Sequence, residues 1–234
     1  MSIPWRIEQV LSLVSRAYLS ALQYRPFHMS DLIPRLSPIS SHISCMVWNI
    51  QGAGNKLKIT ALKEVVKTYK PTIMALIETH MGGDHAEKLR NILGYGGHTR
   101  VDTIGFSGGI WVYWKPELVD VIPVTKHHQY LTVEVVRRGE PPWFFSAVYA
   151  SPNPTDRREL WTELENFARS NNHPWMAAGD FNETRNLAER HGGDSNMVRR
   201  CELFDNWIEN CELIELEFSG PLHTWARGNS LETR

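Results

Sequence analysis

Four apolar runs of strand length break off at polar side chains, at Asn49, Glu78, Tyr149 and Asp180, and Asn182 stands two residues beyond the last of them. The runs are Cys45–Ile50, Thr72–Ile77, Trp143–Tyr149 and Pro174–Ala178, the last continuing through Gly179 to Asp180. Such runs read as buried strands, and in α/β sheets ligand sites gather where strands pass into loops. Helical spacing lies between them. Leu57, Ala61, Val65 and Tyr69 mark one helix face closed by Pro71, a weaker pattern spans 85–93, and further helices are expected over about 156–169 and 197–209. A strand-rich middle runs through Gly109–Trp114, Leu118–Val124, Tyr130–Val136 and Trp143–Tyr149. The turn residues between these strands (Lys115-Pro116, Gly139, Pro141-Pro142) predict pairing of adjacent strands in antiparallel fashion. The fold class is α/β, and no internal repeat is evident.

Composition narrows the class without naming a partner. The 234 residues carry 25 Lys+Arg against 26 Asp+Glu, and 42% are hydrophobic, which excludes disorder, collagen and coiled coil. No window approaches the ~18–20 uncharged apolar residues of a membrane span. Three scattered cysteines, none in a CxxC, argue against a disulfide scaffold or a cysteine zinc site, and for a reducing compartment, nuclear or cytoplasmic.

Residues 1–44 stand apart, with nine serines, four arginines, no lysine and only Glu8 and Asp31 as acids. Ile7, Val10, Leu11, Val14, Tyr18, Ala21 and Leu22 recur at three- and four-residue steps. They predict an amphipathic helix with Pro4 near its first turn, followed by a Pro/Ser linker. The apolar residues are periodic rather than continuous, unlike a secretory signal. The composition is also that of an organelle transit peptide, although a loosely packed upstream extension is the better account of it. The main domain is therefore expected over 45–234.

The polar strand ends suit a hard, oxygen-preferring cation. Mg²⁺ takes one or two protein carboxylates, keeps waters and completes its shell with phosphate oxygens. Glu78 after five apolar residues is a candidate ligand, since a charged group seldom ends a buried strand without a partner; an ion pair with Lys or Arg is the alternative. In Gly179-Asp180-Phe181-Asn182-Glu183, Asp180 could orient or deprotonate a water, and Asn182 could donate to a phosphoryl oxygen. The same residues equally fit an Asx turn capping the next helix. Asn49 shares that ambiguity, and Tyr149 alone reads as a core aromatic.

Taken in order, Trp48-Asn49-Ile50-Gln51-Gly52, Ile77-Glu78-Thr79, Val148-Tyr149-Ala150-Ser151-Pro152, Gly179-Asp180-Phe181-Asn182-Glu183 and Thr224-Trp225 resemble the endonuclease/exonuclease/phosphatase superfamily. Within it, the sequence is most similar to the apurinic-type endonuclease domain of plant LINE (non-LTR) retrotransposons. Gly108-Gly109-Ile110, Arg190-His191-Gly192-Gly193 and Leu222-His223-Thr224-Trp225-Ala226 support that subgroup. The resemblance implies a four-layer α/β sandwich of two mixed sheets face to face with helices outside. It also implies Mg²⁺-dependent (or Mn²⁺-dependent) nicking of DNA to leave a 3′-hydroxyl for reverse transcription. On this reading Glu78 holds the metal with Asn49 beside it, Tyr149 contacts the scissile phosphate, and Asp180 orients or activates water. Asn182 stabilises the five-coordinate phosphorus, Thr224 fixes the phosphate side of the pocket, and Trp225 packs beneath it.

The departure is at the C-terminus. The family continues past Thr-Trp to a Ser-Asp-His that supplies the catalytic histidine, whereas none of the ten histidines here stands in that motif. The resemblance therefore implies an impaired enzyme, lacking the last strands of one sheet and so carrying an unpaired edge and exposed core. Two rival readings remain at this point. One is a phosphoesterase of the same superfamily acting on inositol phosphates or phospholipid; the other is a non-catalytic relic or binding protein. For DNA contact the basic pairs Arg137-Arg138, Arg157-Arg158 and Arg199-Arg200 are candidates, and solvated faces are their bland reading.

Overall fold

The computed structural model describes residues 17–20, 43–105, 107–189 and 197–216. In chain order the elements are β1 (Ala17–Ser20), β2 (Cys45–Asn49), α1 (Lys56–Tyr69), β3 (Ile73–Ile77), α2 (Gly83–Leu93), β4 (Gly97–Val101) and β5 (Ile110–Trp114). They continue with β6 (Asp120–His127), β7 (Tyr130–Val136), β8 (Trp143–Tyr149), α3 (Pro154–Ser170), β9 (Trp175–Asp180), α4 (Met197–Asn210) and β10 (Leu213–Glu215). They build two mixed sheets. The larger runs β10-β1-β9-β8-β7-β6 and the smaller β2-β3-β5-β4. Each contains one parallel pair, β8 with β9 and β2 with β3, whose connection is a helix; the other pairings are antiparallel.

Alternation of side chains across each strand sorts the core into three layers. Between the sheets, Val47, Ile73, Ala75, Ile77 and Val112 of the small sheet meet Leu131, Val133, Phe145, Ala147 and Ala178 of the large one. On the outer face of the large sheet, Val148, Trp175 and Ala177 pack under Leu160 and Leu164 of α3 and Phe204 and Trp207 of α4. On the outer face of the small sheet, Trp48, Met74, Leu76 and Trp111 pack under Leu62 and Val65 of α1 and Ala86 and Leu89 of α2. The result is helix, sheet, sheet, helix, the four-layer α/β sandwich expected. No helix among the described residues is long and apolar enough to cross a membrane.

Helix termini follow local chemistry. Asn55 caps α1 by accepting from the amides of Leu57 and Lys58 at 2.9 and 3.4 Å, and α3 begins with Asn153 accepting from Thr155 N at 2.9 Å over a first-turn Pro154.

Three local expectations are corrected. Residues 17–20 lie in the span read as an amphipathic helix, yet they form β1. There they pair antiparallel with β9 on one side and β10 on the other. The backbone groups along the edge of β9 bond to this segment, and that ladder overrides a helical spacing read from a short apolar stretch. The rest of that helix span lies outside the described residues. The edge of β9 is thus occupied. Along the outer edge of β2 no strand is paired among the described residues, and an apolar cavity of about 410 Å³ opens beside it, with Ile43, Cys45 and Val47 facing Trp143, Met176 and Ala178. In α1 the inward face is Leu62, Val65 and Val66, which pack with Met74, Leu76 and Trp111 of the small sheet, while Leu57 and Tyr69 are exposed. Finally, β5 and β6 are adjacent in sequence but belong to different sheets, so the Lys115–Val119 turn carries the chain across the sandwich.

Candidate active site

The two parallel pairs end at the same rim of the sandwich. Asn49 closes β2 opposite Ile77, so Glu78 follows at the tip of the neighbouring strand; in the other sheet Tyr149 and Asp180 are register partners at the tips of β8 and β9. The ends meet across the gap between sheets. Asn49 Nδ2 donates to Asp180 Oδ2 at 3.0 Å, and the Tyr149 hydroxyl hydrogen-bonds to the Glu78 carboxylate. Asn182 joins through its backbone, its N–H donating to Asp180 Oδ1 at 2.9 Å, while its Nδ2 donates to Ala150 O at 2.7 Å. Five of the six residues singled out in sequence are therefore brought together, and Thr224, with Trp225, lies outside the described residues.

Backbone conformation is stretched to achieve this. Glu78 has φ 54°, and Gln51, His80 and Asn182 also adopt positive φ around the rim. Non-glycine residues hold such φ only where surroundings over-determine them. Here Gly52 N donates to Glu78 O at 2.7 Å, Ala53 N to Thr79 O at 2.8 Å and Thr79 N to Gly109 O at 3.2 Å. At Gly179 (φ 150°) a Cβ would sit 1.9 Å from Val148 O, so only glycine lets β9 approach β8 closely enough to bring Asp180 beside Tyr149.

The electrostatics of the rim suit a bound cation. Two carboxylates, Glu78 and Asp180, flank Tyr149, whose phenol is held far above its ordinary pKa, first by burial, then by its bond to Glu78 and by the charges of Glu78 and Asp180. It therefore remains a hydrogen-bond donor. The donor set of two carboxylates and amide oxygens is all hard oxygen, which fits Mg²⁺ or Mn²⁺. Glu78 and Asn49 would hold the ion. Asn49 Oδ1 accepts from Gln51 N at 3.2 Å and keeps a second lone pair for it.

Three supporting residues were missed, and two of them, Lys58 and Gln129, carried no sequence signal. Lys58, in the first turn of α1, reaches back to donate through Nζ to Ile50 O at 2.9 Å and Gln51 O at 2.6 Å, bracing the loop after Asn49. Its pKa is lowered by burial, against the opposing pull of Glu78. Buried Gln129 accepts from Ser151 N (2.7 Å) and donates to Asp156 O (2.9 Å), and its carbonyl accepts from Tyr149 N (2.7 Å). Such bonds to distant backbone leave no pattern along the chain. Glu183 could have been sought as a partner for the basic pairs: it binds Arg157, which is only 1% exposed, and Arg200 at 2.9 Å. Arg157 is thereby removed from the candidate DNA contacts.

A model of the endonuclease/exonuclease/phosphatase family matches residues 46–231. The chain belongs to this family. Among solved structures, the AP endonuclease LMAP from Leishmania major is similar with a TM-score of 0.54 at 17% identity, covering 90% of this chain and 75% of that one. The endonuclease domain of TRAS1, a telomere-specific non-LTR retrotransposon, is similar with a TM-score of 0.53 at 14% identity, covering 70% of each chain. At these identities the two likenesses show a shared family fold, with its sandwich of two mixed sheets. No curated protein sequence matches.

Proposed function

We propose that this chain is a metal-dependent DNA phosphodiesterase, an endonuclease domain of the LINE retrotransposon type that nicks a strand to leave a 3′-hydroxyl. One observation carries the reading: Asn49 and Glu78 from one sheet and Tyr149 and Asp180 from the other are hydrogen-bonded across the sandwich at a single rim. The likeness to an AP endonuclease and a retrotransposon endonuclease domain supports DNA as substrate.

The chain's own groups divide the work. Asp180 is fixed by donors at both oxygens, from Asn49 and from Asn182 N, so it presents its remaining lone pairs in one direction and orients the attacking water. Asn182 spends one amide hydrogen on Ala150 O and has a second to give to a phosphoryl oxygen as charge builds there. Tyr149 stays protonated, and with Mg²⁺ on the Glu78 carboxylate its single O–H would turn from Glu78 to the scissile phosphate. Mg²⁺ held by Glu78 and Asn49 would neutralise charge on the phosphate and on the departing oxygen. Thr224 is assigned to the phosphate side of the pocket by sequence resemblance.

Supercoiled plasmid with Mg²⁺ tests the reading. The chain should nick it, and Glu78→Gln or Asp180→Asn should each lower the rate by about 100-fold or more. Intact plasmid together with phosphate released from inositol phosphates would establish the rival phosphoesterase. Nicking unchanged in both variants would remove the rim from the chemistry.

A further inference from the structure

Away from the rim, on the helix-covered face of the large sheet, His127, Glu159 and Glu163 turn their ligand atoms to within 4.8 Å of one another. The elements dictate this grouping. Glu159 and Glu163 are four residues apart on α3 and so share a face. His127 ends β6 and is the register partner of Tyr130 at the start of β7, which places both rings on the side of the hairpin turned to α3. The rings are 5.2 Å apart, and the Tyr130 hydroxyl donates to Glu163 Oε2 at 2.8 Å, fixing that carboxylate's orientation toward the histidine.

We propose that His127, Glu159 and Glu163 bind a first-row divalent metal, Zn²⁺ best of all, which clasps the β6–β7 hairpin onto α3. Two carboxylates one helical turn apart repel each other, and among the described residues neither forms an ion pair with a lysine or arginine. A dication answers that unbalanced charge. The imidazole decides which one, since nitrogen with carboxylate oxygens suits Zn²⁺ whereas all-oxygen sets suit Mg²⁺ or Ca²⁺. The Tyr130–Glu163 bond supplies the outer support that ordered carboxylate ligands have.

The site bears on the rim through one residue. Gln129 lies between His127 and Tyr130 in the hairpin turn and braces Tyr149 and Ser151, so clasping the turn stiffens the support beneath Tyr149. Its amide also donates to His127 Nδ1 at 3.3 Å. Metal loading competes with that contact, directly at Nδ1 or, for ligation through Nε2, because the ring proton must move to Nδ1. The Gln129 amide is therefore a local reporter.

The test is a Zn²⁺ titration of the full chain in excess Mg²⁺, read by calorimetry, by Co²⁺ absorption and by hydrogen exchange of the turn. Wild type should take up one Zn²⁺, gain exchange protection over 127–130 and shift the Gln129 amide resonance. His127→Gln and Glu159→Gln should each weaken uptake at least tenfold, while Glu78→Gln retains it. Glu159 is exposed, so its variant folds whatever becomes of the His127 variant. Absence of Zn²⁺ uptake by wild type, uptake unchanged in Glu159→Gln, or uptake lost only in Glu78→Gln would each overturn the proposal.

Discussion

Replacing Gly179 by alanine probes how the catalytic rim depends on strand approach. The added methyl would stand 1.9 Å from Val148 O and 2.8 Å from Val148 C and N, all backbone atoms that no rotamer change can move. Ordinary contact begins near ~3.5 Å, so β9 would have to part from β8 by roughly 1.5 Å, enough to break the ladder bonds between them. Overpacking of this kind costs about 1–3 kcal/mol, and an alanine held at positive φ adds about 1–2 kcal/mol. The total is therefore about 2–5 kcal/mol. With a urea dependence of roughly 2 kcal/mol/M, Gly179→Ala should unfold at least about 1 M earlier. It should also lose nicking in urea-free buffer where it is still folded, because Asp180 is the next residue and rides on the same strand. Urea unfolding followed by tryptophan fluorescence gives the first quantity and a plasmid assay the second. An unchanged midpoint would falsify the claim that close β8–β9 approach requires glycine.

Glu183→Gln leaves the guanidinium of Arg157 buried without its counter-charge, and should destabilise the fold by about 3–5 kcal/mol in chemical denaturation; a change under ~1 kcal/mol would mean that water reaches the pair. Lys58→Met keeps the stem and removes the ammonium that braces Ile50 O and Gln51 O, so kcat for nicking should fall about tenfold or more while the unfolding midpoint moves little. Equal kcat would show that the loop after Asn49 holds itself. Cys211 is buried, with its thiol pushed up to about 12 by burial. A raised folded-state pKa gives stability that is complete below the unfolded value near 9 and is lost as pH climbs from there toward 12. The expected slope is roughly 1.4 kcal/mol per pH unit from this thiol, absent in Cys211→Ala, in denaturation series above pH 9.

The sequence carried much of the architecture because the strands that frame the rim are apolar runs with abrupt polar ends. β7 and β8 start and stop where the apolar runs and turn residues say they do, and Asn49, Glu78, Tyr149 and Asp180 are visible as interruptions. What stayed hidden has physical causes. β4, reading Gly-His-Thr-Arg-Val, has no apolar run and is a strand because β5 offers it a ladder. β1 is four residues long, too short for periodicity to tell strand from helix. Lys58 and Gln129 act on backbone groups, so neither depends on a recognisable partner residue. Arg157 reads as half of a solvated basic pair until Glu183 is seen behind it.

Each side of the rim is anchored to a different sheet, and what separates them is a slab of packed side chains that includes Ala147, Val133 and Phe145. That slab acts as a shim. If the proposed function holds, a larger side chain there would prop the two banks of the cleft apart, a smaller one would let them sag together, and both would alter the grip on a bridging phosphate without touching any group in the cleft. Turnover would in this sense be a calliper reading of the sandwich's filling, and loss of nicking from a mutation deep in the interior need not signal unfolding.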